Sequence, residues 1–368
     1  MLAIFGTFLV FIFTLLFAYN WQKQQFWKSK GVHTPSFLPF LGHLHILWKS
    51  CRWETIDKSY QSFRHHGLYG MYSFWTPELY VFDPEILRLV LVKDSDHFID
   101  RRDIKLTSKE KFFKEMLTMV KGEKWKALRS VMTPTFTSGK IKSMFPLIGD
   151  KVNELVTECE EEMRKHSFVD MKSMFSYYTT DVIGTCAFGI DANCLKSKDA
   201  SQFIVSANYL SNLDFKRLVK FAFVMLLPRF SEAIGLSLAN KHMDFFKNVV
   251  EETVDLRIKS GQKRGDFLDI LLDALEESKM QGESSKYPMT MNTITAESIL
   301  FLLAGFDTTS NTLSFLIYLL AANKDAQRIL REELQEIIEK DGEFNYQNIM
   351  EARYLDACLS GINRLLFP

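Results

Sequence analysis

The sequence predicts a mainly α-helical protein with a small β portion, located behind an N-terminal transmembrane helix. Most of the chain after Asp83 has apolar and charged residues at helical spacing. One short region instead has the composition of two strands joined at a Thr-Pro pair. The first 22 residues contain no charged side chain, and those up to Tyr19 are nearly all apolar. These three features together define the fold class.

The N-terminal segment is long enough to anchor the chain in a membrane, because about 20 apolar residues cross a bilayer as a helix. Lys23, Lys28 and Lys30 follow it and no basic residue precedes it, so the positive-inside rule places the rest of the chain in the cytosol. A cleaved signal peptide is the alternative, although it would have a basic leader and a shorter apolar core. We therefore expect an anchor at 1–22, a basic, Pro-containing linker at 23–45 and one domain at 46–368.

The elements of the domain follow from its periodicity and its capping residues. A hairpin is expected from segments 71–75 and 78–82, which flank Thr76-Pro77. Thr295 is expected to cap a long helix, with Glu297 in the first turn, where a carboxylate stabilises the helix dipole. Asp325 is expected to cap the next helix. One predicted helix begins at Asp83, and the helix capped by Asp325 ends at Asp341-Gly342. The other predicted helices span 121–132, 149–166, 170–187, 201–214, 239–259, 265–279 and 298–323.

Composition excludes several classes of function. The chain has 45 basic and 45 acidic residues, so its charge balance does not indicate a nucleic-acid partner. Its five cysteines are an odd number without a CxxC pair, which argues against a disulfide framework and against a structural zinc site. The 32 Phe and 15 Met residues indicate a spacious, adaptable apolar interior.

The residues from 298 to 323 carry a single charge, that of Asp307. A carboxylate in the middle of an apolar helix is costly to bury. Gly305 costs about 1 kcal/mol in a helix interior and often marks the close approach of another group. Thr308 can bond back to the carbonyl one turn earlier and open a groove. The acid and the alcohol could relay protons to a bound oxygen species; the alternative is a buried aspartate satisfied by neighbouring hydroxyls.

A second pair of residues could hold an anion. Trp125 and Arg129 are four residues apart, so their side chains share one helix face. An indole N–H and a guanidinium there can grip an anionic group from two directions, although a surface cation–π pair is the simpler alternative. Lys121, Lys124 and Lys126 make this neighbourhood basic, which suits either an acidic partner or plain solvation.

Segments spread over the whole chain carry a family resemblance. They are 37–42, 93–102, 125–129, 133–140, 188–189, 266–269, 304–309 and 352–356. Together they resemble a cytochrome P450, a membrane-anchored haem-thiolate monooxygenase of the microsomal, xenobiotic-metabolising type. Any one segment is a weak match, but their number and order indicate the family.

The resemblance implies haem as the cofactor and a set of residues that serve it. Trp125 and Arg129 match the helix that holds a haem propionate, and Arg101 matches a position that assists. Asp307 and Thr308 match the acid–alcohol pair that delivers protons for O–O cleavage. Ala304 and Gly305 match the residues that line the oxygen groove.

The resemblance also implies partners and a location. Electrons would come from an NADPH-dependent flavoprotein reductase, which fits the basic patch near Trp125. The substrate would be a lipophilic small molecule, such as a xenobiotic, a steroid or a lipid, oxidised with O2. The location would be the endoplasmic reticulum membrane, with one span and a cytosolic catalytic domain. Substrate walls are expected at 112–117, 203–227, Phe301 and Phe306, and a membrane-facing entry route at 221–236.

Two departures from the family pattern stand out. Where the family has Glu-x-x-Arg, this sequence has Gly361 three residues before Arg364. We expect Arg364 to be buried without its partner, a situation that typically costs about 3–5 kcal/mol. None of the five cysteines has the Phe-x-x-Gly-x-x-x-Cys-x-Gly context of the haem ligand.

These departures predict that the chain is a partial sequence of a working enzyme that lacks the C-terminal haem-ligand region. One alternative is a non-catalytic, haem-free membrane-tethered remnant. Another is a metal-dependent hydrolase that uses some of the eight histidines, although no HExxH or comparable spacing is present and no metal ligands are predicted.

Overall fold

A computed structural model describes residues 2–38, 42–43, 52–73, 76–101, 108–212, 214–238, 240–281 and 286–366. Outside these ranges lie Cys51 and parts of the predicted linker, of the predicted hairpin and of segments 37–42 and 93–102. The chain divides into two compact units, residues 1–100 and 101–368. The described residues are mainly helical with one two-stranded sheet, which confirms the prediction of a mainly α-helical protein with a small β portion.

Unit 1 contains the N-terminal helix and the hairpin. Trp27 joins the N-terminal helices to the hairpin: its indole Nε1 donates to the Met71 carbonyl at 2.9 Å, and its main-chain amide donates to the Tyr72 hydroxyl at 3.0 Å. A Cβ on Gly70 would lie 2.3 Å from the Trp27 ring, so only glycine fits beneath the indole. The elements are α1 (Leu2–Gln24), α2 (Phe26–Ser29), α3 (Arg52–Phe63), β1 (Leu68–Ser73), β2 (Thr76–Val81) and α4 (Pro84–Arg88), followed by a π-helical turn (Leu89–Lys93).

The hairpin is present, but the predicted turn position is wrong. Thr76 pairs with Ser73 and Pro77 with Tyr72, so both residues belong to β2 rather than to the turn. A two-stranded sheet has only edge strands, and an edge strand tolerates a proline that cannot donate to the ladder. The start of α4 agrees with the prediction, because Asp83 accepts from the amides of Glu85 and Ile86.

Unit 2 is built around one long helix, α14, which packs against α7, α12 and α13. Its buried residues Leu302 and Phe306 share an apolar cluster with Val250 of α12 and Phe267 of α13. The helices of this unit are α5 (Gly122–Met132), α6 (Ser138–His166), α7 (Met171–Ile183), α8 (Cys194–Ser197), α9 (Gln202–Ser211), α10 (Phe215–Leu226), α11 (Pro228–Ala233), α12 (Lys241–Ser260), α13 (Phe267–Gln281), α14 (Met291–Ala322), α15 (Lys324–Asp341), α16 (Tyr346–Glu351) and α17 (Arg353–Leu366).

Two predicted helix caps are wrong. Helix α14 begins at Met291, and the Thr290 side chain accepts from the Thr293 amide. Thr295 therefore lies inside the helix, and Glu297 lies beyond its first turn. Helix α15 has Asn323 at its N-cap, so Asp325 belongs to the first turn. Helix α14 continues N-terminal to the predicted start, and its residues 293–298 are buried. The start of α15 moves by only two residues, from Asp325 to Asn323, and both are exposed.

A buried ionic cluster closes the end of α12 on the start of α13. The Arg257 guanidinium is 2.9 Å from Asp266 Oδ2 and 2.5 Å from Asp269 Oδ1, and both carboxylates are buried. Arg257 also donates to the Phe188 carbonyl at 3.1 Å. Asp269 accepts from the amides of Arg264 and Gly265 at 2.6 Å each. The charges of segment 266–269, which carried part of the family resemblance, thus have a structural role.

Candidate active site

The exposed side of α14 carries Ala304 and Thr308, one turn apart. The Thr308 hydroxyl donates to the Ala304 carbonyl at 2.6 Å, which confirms the predicted bond to the preceding turn. The helix remains α-helical through this region. A small side chain and a hydroxyl therefore share one accessible face of a helix whose opposite face is in the core.

Gly305 faces the other way, toward α7. A Cβ built on it would lie 2.8 Å from Cδ1 and 3.0 Å from Cγ1 of Ile183. The close approach expected at this glycine is therefore present, and the approaching group is a neighbouring helix. The absence of a side chain lets α14 and α7 come together directly behind the Ala304–Thr308 face.

Asp307 is half-exposed rather than buried, with 43% of its side chain accessible. Its Oδ1 lies 3.6 Å from Nζ of Lys172, on α7, and the same ammonium donates to the Ser310 hydroxyl at 2.9 Å. The alternative of a buried aspartate satisfied by neighbouring hydroxyls is therefore wrong. A lysine from another helix holds this carboxylate, and nothing in the sequence near residue 307 identifies that lysine.

The fully buried acid of α14 is Glu297, which sequence reasoning assigned only to the helix dipole. Its residue exposure is 0%, and neither carboxyl oxygen has a hydrogen-bond partner among the described residues. Burial raises the pKa of Glu297 to about 8; the Leu117 main-chain amide opposes this shift and the nearby Glu115 carboxylate adds to it. Sequence reasoning singled out Asp307 as the only charged residue between 298 and 323. Glu297 lies immediately before that segment and was therefore not considered with it.

The two residues predicted to hold a propionate lie on α5. Trp125 is half-buried and Arg129 is exposed, and both project from the same face of the helix. The Arg129 side chain has no ion pair or hydrogen bond within the described part of the chain, so it is available to an anion. The Arg129 guanidinium does not lie over the Trp125 ring. These two described residues therefore do not form the surface cation–π pair that was the simpler alternative to an anion site. Arg101 is exposed at the start of unit 2.

The basic patch around Trp125 is partly neutralised. Lys124 Nζ is 2.7 Å from Glu115 Oε2, and Lys126 Nζ is 3.4 Å from Glu123 Oε1. The net positive charge of this surface is therefore smaller than the sequence alone indicates.

The cysteines in the described residues do not provide a thiolate. Burial raises the pKa of Cys186 to about 11, and burial together with the Asp181 carboxylate raises that of Cys194. The pKa values of Cys159 and Cys358 are also raised, first by burial and then by neighbouring acids. A haem-ligating cysteine needs the opposite electrostatics. The residues on α5 and α14 thus fit the propionate and oxygen sides of a haem, whereas none of these four thiols fits its axial position.

The prediction for Arg364 is wrong. Its side chain is exposed on α17 rather than buried, so the cost of an unpaired buried charge does not apply to it. A Cβ on Gly361 would meet no atom within 4 Å. The replaced glutamate position therefore faces open space in this structure.

The chain belongs to the cytochrome P450 family, whose model matches residues 32–368. Cytochrome P450 9e2 of Blattella germanica is 32% identical over 97% of this chain and 72% of the relative. Cytochrome P450 6a8 of Drosophila melanogaster is 31% identical over 97% of this chain and 71% of the relative. Cytochrome P450 3A11 of Mus musculus is 33% identical over 95% of this chain and 69% of the relative.

Family membership establishes the class of cofactor and of reaction. The members of this family bind haem and are monooxygenases, and the relatives support the predicted xenobiotic-metabolising type. Neither the haem-free remnant nor the metal-dependent hydrolase is favoured by these matches. Among the helices that the structure describes, α14 has the length and apolar composition needed to cross a bilayer, criteria that a core helix also meets.

Proposed function

We propose that the protein inserts one oxygen atom from O2 into a C–H bond of a lipophilic small molecule, drawn from xenobiotics, steroids or lipids. The observation that carries the proposal is the Asp307–Thr308 pair. It provides an accessible acid and an accessible hydroxyl on a core helix that is otherwise uncharged from residue 298 to 323. Such a pair suits proton delivery at an apolar site.

Each residue of the proposed site has a defined task. Haem, when bound, supplies the oxygen chemistry. The Trp125 indole and the Arg129 guanidinium hold a propionate, with Arg101 assisting. The Thr308 hydroxyl now donates to the Ala304 carbonyl, so it must rotate to pass a proton elsewhere. Asp307, held by Lys172, resupplies that proton from the solvent side.

The packing of α14 against α7 positions the face that carries Ala304 and Thr308. Gly305 allows α7 to lie close behind the accessible face, and Ile183 fills the space that a side chain would take. The small side chain of Ala304 leaves open space on this face of α14 next to the Thr308 hydroxyl. Of the two residues that the family resemblance assigns to the oxygen groove, we propose that Ala304 lines it directly. Gly305, which faces α7, supports it by letting the two helices approach each other.

We further propose a single-pass location in the endoplasmic reticulum membrane, with the catalytic domain in the cytosol. Helix α1 has 23 residues, about 34 Å at 1.5 Å per residue, against an apolar bilayer thickness of about 30 Å. Among its described apolar side chains, Phe13 is 67% exposed and Phe17 is 47% exposed. This assigns 1–22 to the anchor, 23–45 to the linker and 46–368 to the haem domain.

Exposed apolar side chains around α10 and α11 support a membrane-facing entry route for the substrate. Phe215 is 79% exposed, and Leu227, Phe230 and Ile234 are each about half-exposed. Electrons would come from an NADPH-dependent flavoprotein reductase bound near α5, on the lysine-containing surface next to Trp125.

The experiment is expression of the chain in microsomes together with the reductase. The haem Soret band, NADPH consumption and oxidised product are then measured with a panel of lipophilic substrates. Thr308→Val should raise the NADPH consumed per product, because the hydroxyl that hands on the proton is lost. Thr309→Val removes an adjacent exposed hydroxyl and serves as the matched control, with no change expected. A haem-loaded protein, obtained by joining this chain to the C-terminal haem-ligand region of a relative, that yields no oxidised product would refute the proposal.

A further inference from the structure

An apolar cavity of about 250 Å³ lies in unit 2 between α9, α10, α12 and α14. Its volume is near the small end of the range for ligand pockets, about 300–1,000 Å³. Seven apolar side chains line most of its wall, among them Phe113, Met119, Phe221 and Leu303. A compact aliphatic or small aromatic group would therefore fill it.

Two cations also line this cavity, Arg217 and Lys220, one turn apart on α10. No acidic residue is among the described residues that line it. Lys220 is half-buried and has no ion-pair partner within the described ranges. A cation in an apolar wall is costly unless an anion compensates it.

Arg217 is fixed in place by its surroundings. Its guanidinium lies 4.1 Å from the centroid of the Tyr209 ring, and it also donates to the Tyr209 carbonyl. Its Nε is 3.2 Å from Oδ2 of Asp214, which is exposed at the N-cap of α10 and does not line the cavity. One side of the guanidinium is thus anchored, and the cavity lies on another side.

His242 lies beside the positive charges of this wall. Its ring stacks on Tyr209 with centroids 4.2 Å apart, and Tyr209 also contacts the Arg217 guanidinium. Burial lowers the pKa of His242, and the positive charges of Lys241 and Arg217 lower it further. A positive environment extends across the residues behind the cavity.

We propose that this cavity binds a lipophilic anion, an aliphatic carboxylate whose tail packs among the apolar side chains and whose head lies between Arg217 and Lys220. The inference rests on the proposed function, because it names the substrate class of the same enzyme. The limited volume points to a medium-length tail. Charge-assisted bonds from two cations give the carboxylate an advantage that an alcohol of the same length lacks.

The test compares decanoate with decanol, which differ in charge but share a tail. Binding of each radiolabelled ligand to the full chain in zwitterionic nanodiscs is measured by equilibrium dialysis at neutral pH, with empty nanodiscs subtracted. We expect decanoate to bind more tightly than decanol. Lys220→Met keeps the aliphatic stem and should weaken decanoate binding roughly tenfold, the usual value of one hydrogen bond to a charged group. It should leave decanol binding unchanged.

Lys216→Met is the matched control, because Lys216 is exposed on the same helix and does not line the cavity. It should leave both affinities unchanged. Circular dichroism checks that each variant keeps its helices. Equal binding of the two ligands, insensitive to Lys220→Met, would overturn the anion site and leave the proposed lipophilic substrate intact. Binding of neither ligand would overturn the anion site, and the microsomal product assay would then decide the proposed function separately.

Discussion

Replacement of Arg257 by methionine should destabilise the protein by roughly 3–5 kcal/mol, the usual cost of removing one partner from a buried ion pair. Arg257 is 8% exposed, and Asp266 and Asp269 are 6% and 5% exposed. Methionine retains much of the aliphatic volume but removes the bonds to both carboxylates and to the Phe188 carbonyl. Two buried carboxylates would then lack their cation, although main-chain amides still satisfy part of Asp269.

The assay is thermal and urea unfolding of the full chain in detergent, followed by circular dichroism. For a unit of this size, each kcal/mol corresponds to roughly 2–4 °C in Tm, so the loss should be on the order of 10 °C. Arg328→Met is the matched control, because Arg328 forms an exposed pair with Glu332 at 2.8 Å. That pair should contribute no more than about 0.5 kcal/mol. Equal losses in the two variants would refute the assignment of stability to the buried cluster.

Three further predictions concern α14 and α17. Gly361→Ala should stabilise the protein by up to about 1 kcal/mol through helix propensity, whereas Gly305→Ala should not, since overpacking against Ile183 costs about 1–3 kcal/mol; urea midpoints compare the two. Glu297→Gln should flatten the pH dependence of stability. The folded-state pKa of about 8 exceeds the ordinary glutamate pKa of 4.5, so the folded protein holds the extra proton and its stability falls by up to about 1.4 kcal/mol per pH unit between those values as pH rises; an unchanged slope in the variant would contradict this. Lys172→Met should change the unfolding free energy by less than about 1 kcal/mol, because both members of its pair with Asp307 are half-exposed, and a larger loss would show a deeper structural role.

Local sequence pattern predicted α5, α7, α9, α12 and α13 to within about four residues, because their apolar faces and caps are local properties. Helix α6 begins at Ser138 rather than at residue 149, and α10 was not predicted. The N-cap of α4 is an example, since Asp83 precedes Pro84 at the first helical position. The start of α14 was missed by several residues, because Thr290 and Thr295 are both plausible caps and only packing selects between them. The hairpin turn was misplaced for a similar reason: Thr76-Pro77 has turn composition, but strand register places it in β2.

The candidate site was predicted in part, and the missing part depends on contacts that are distant in sequence. Thr308 and Ala304 are joined within one turn, so their bond could be anticipated. Lys172 reaches Asp307 from a helix 135 positions earlier in the chain, which no local pattern reveals. Arg364 was expected to be buried by analogy, and its exposure depends on how α17 packs.

The two acids of α14 show that the carboxyl group with the larger desolvation cost is identified by its burial, and not by the lack of other charges near it in the sequence. Asp307 is the single charge in an apolar run, yet it is half-exposed beside a lysine and carries a small desolvation cost. Glu297 lies ten residues earlier, about 15 Å along the helix axis. It carries most of the cost of burial, because neither carboxyl oxygen makes a hydrogen bond to a described group and the Leu117 amide offsets the cost only in part. An acid that must exchange protons with solvent needs access, which Asp307 has and Glu297 lacks. The accessible acid is therefore the one suited to proton delivery, whereas the buried acid makes the stability of the same helix depend on pH.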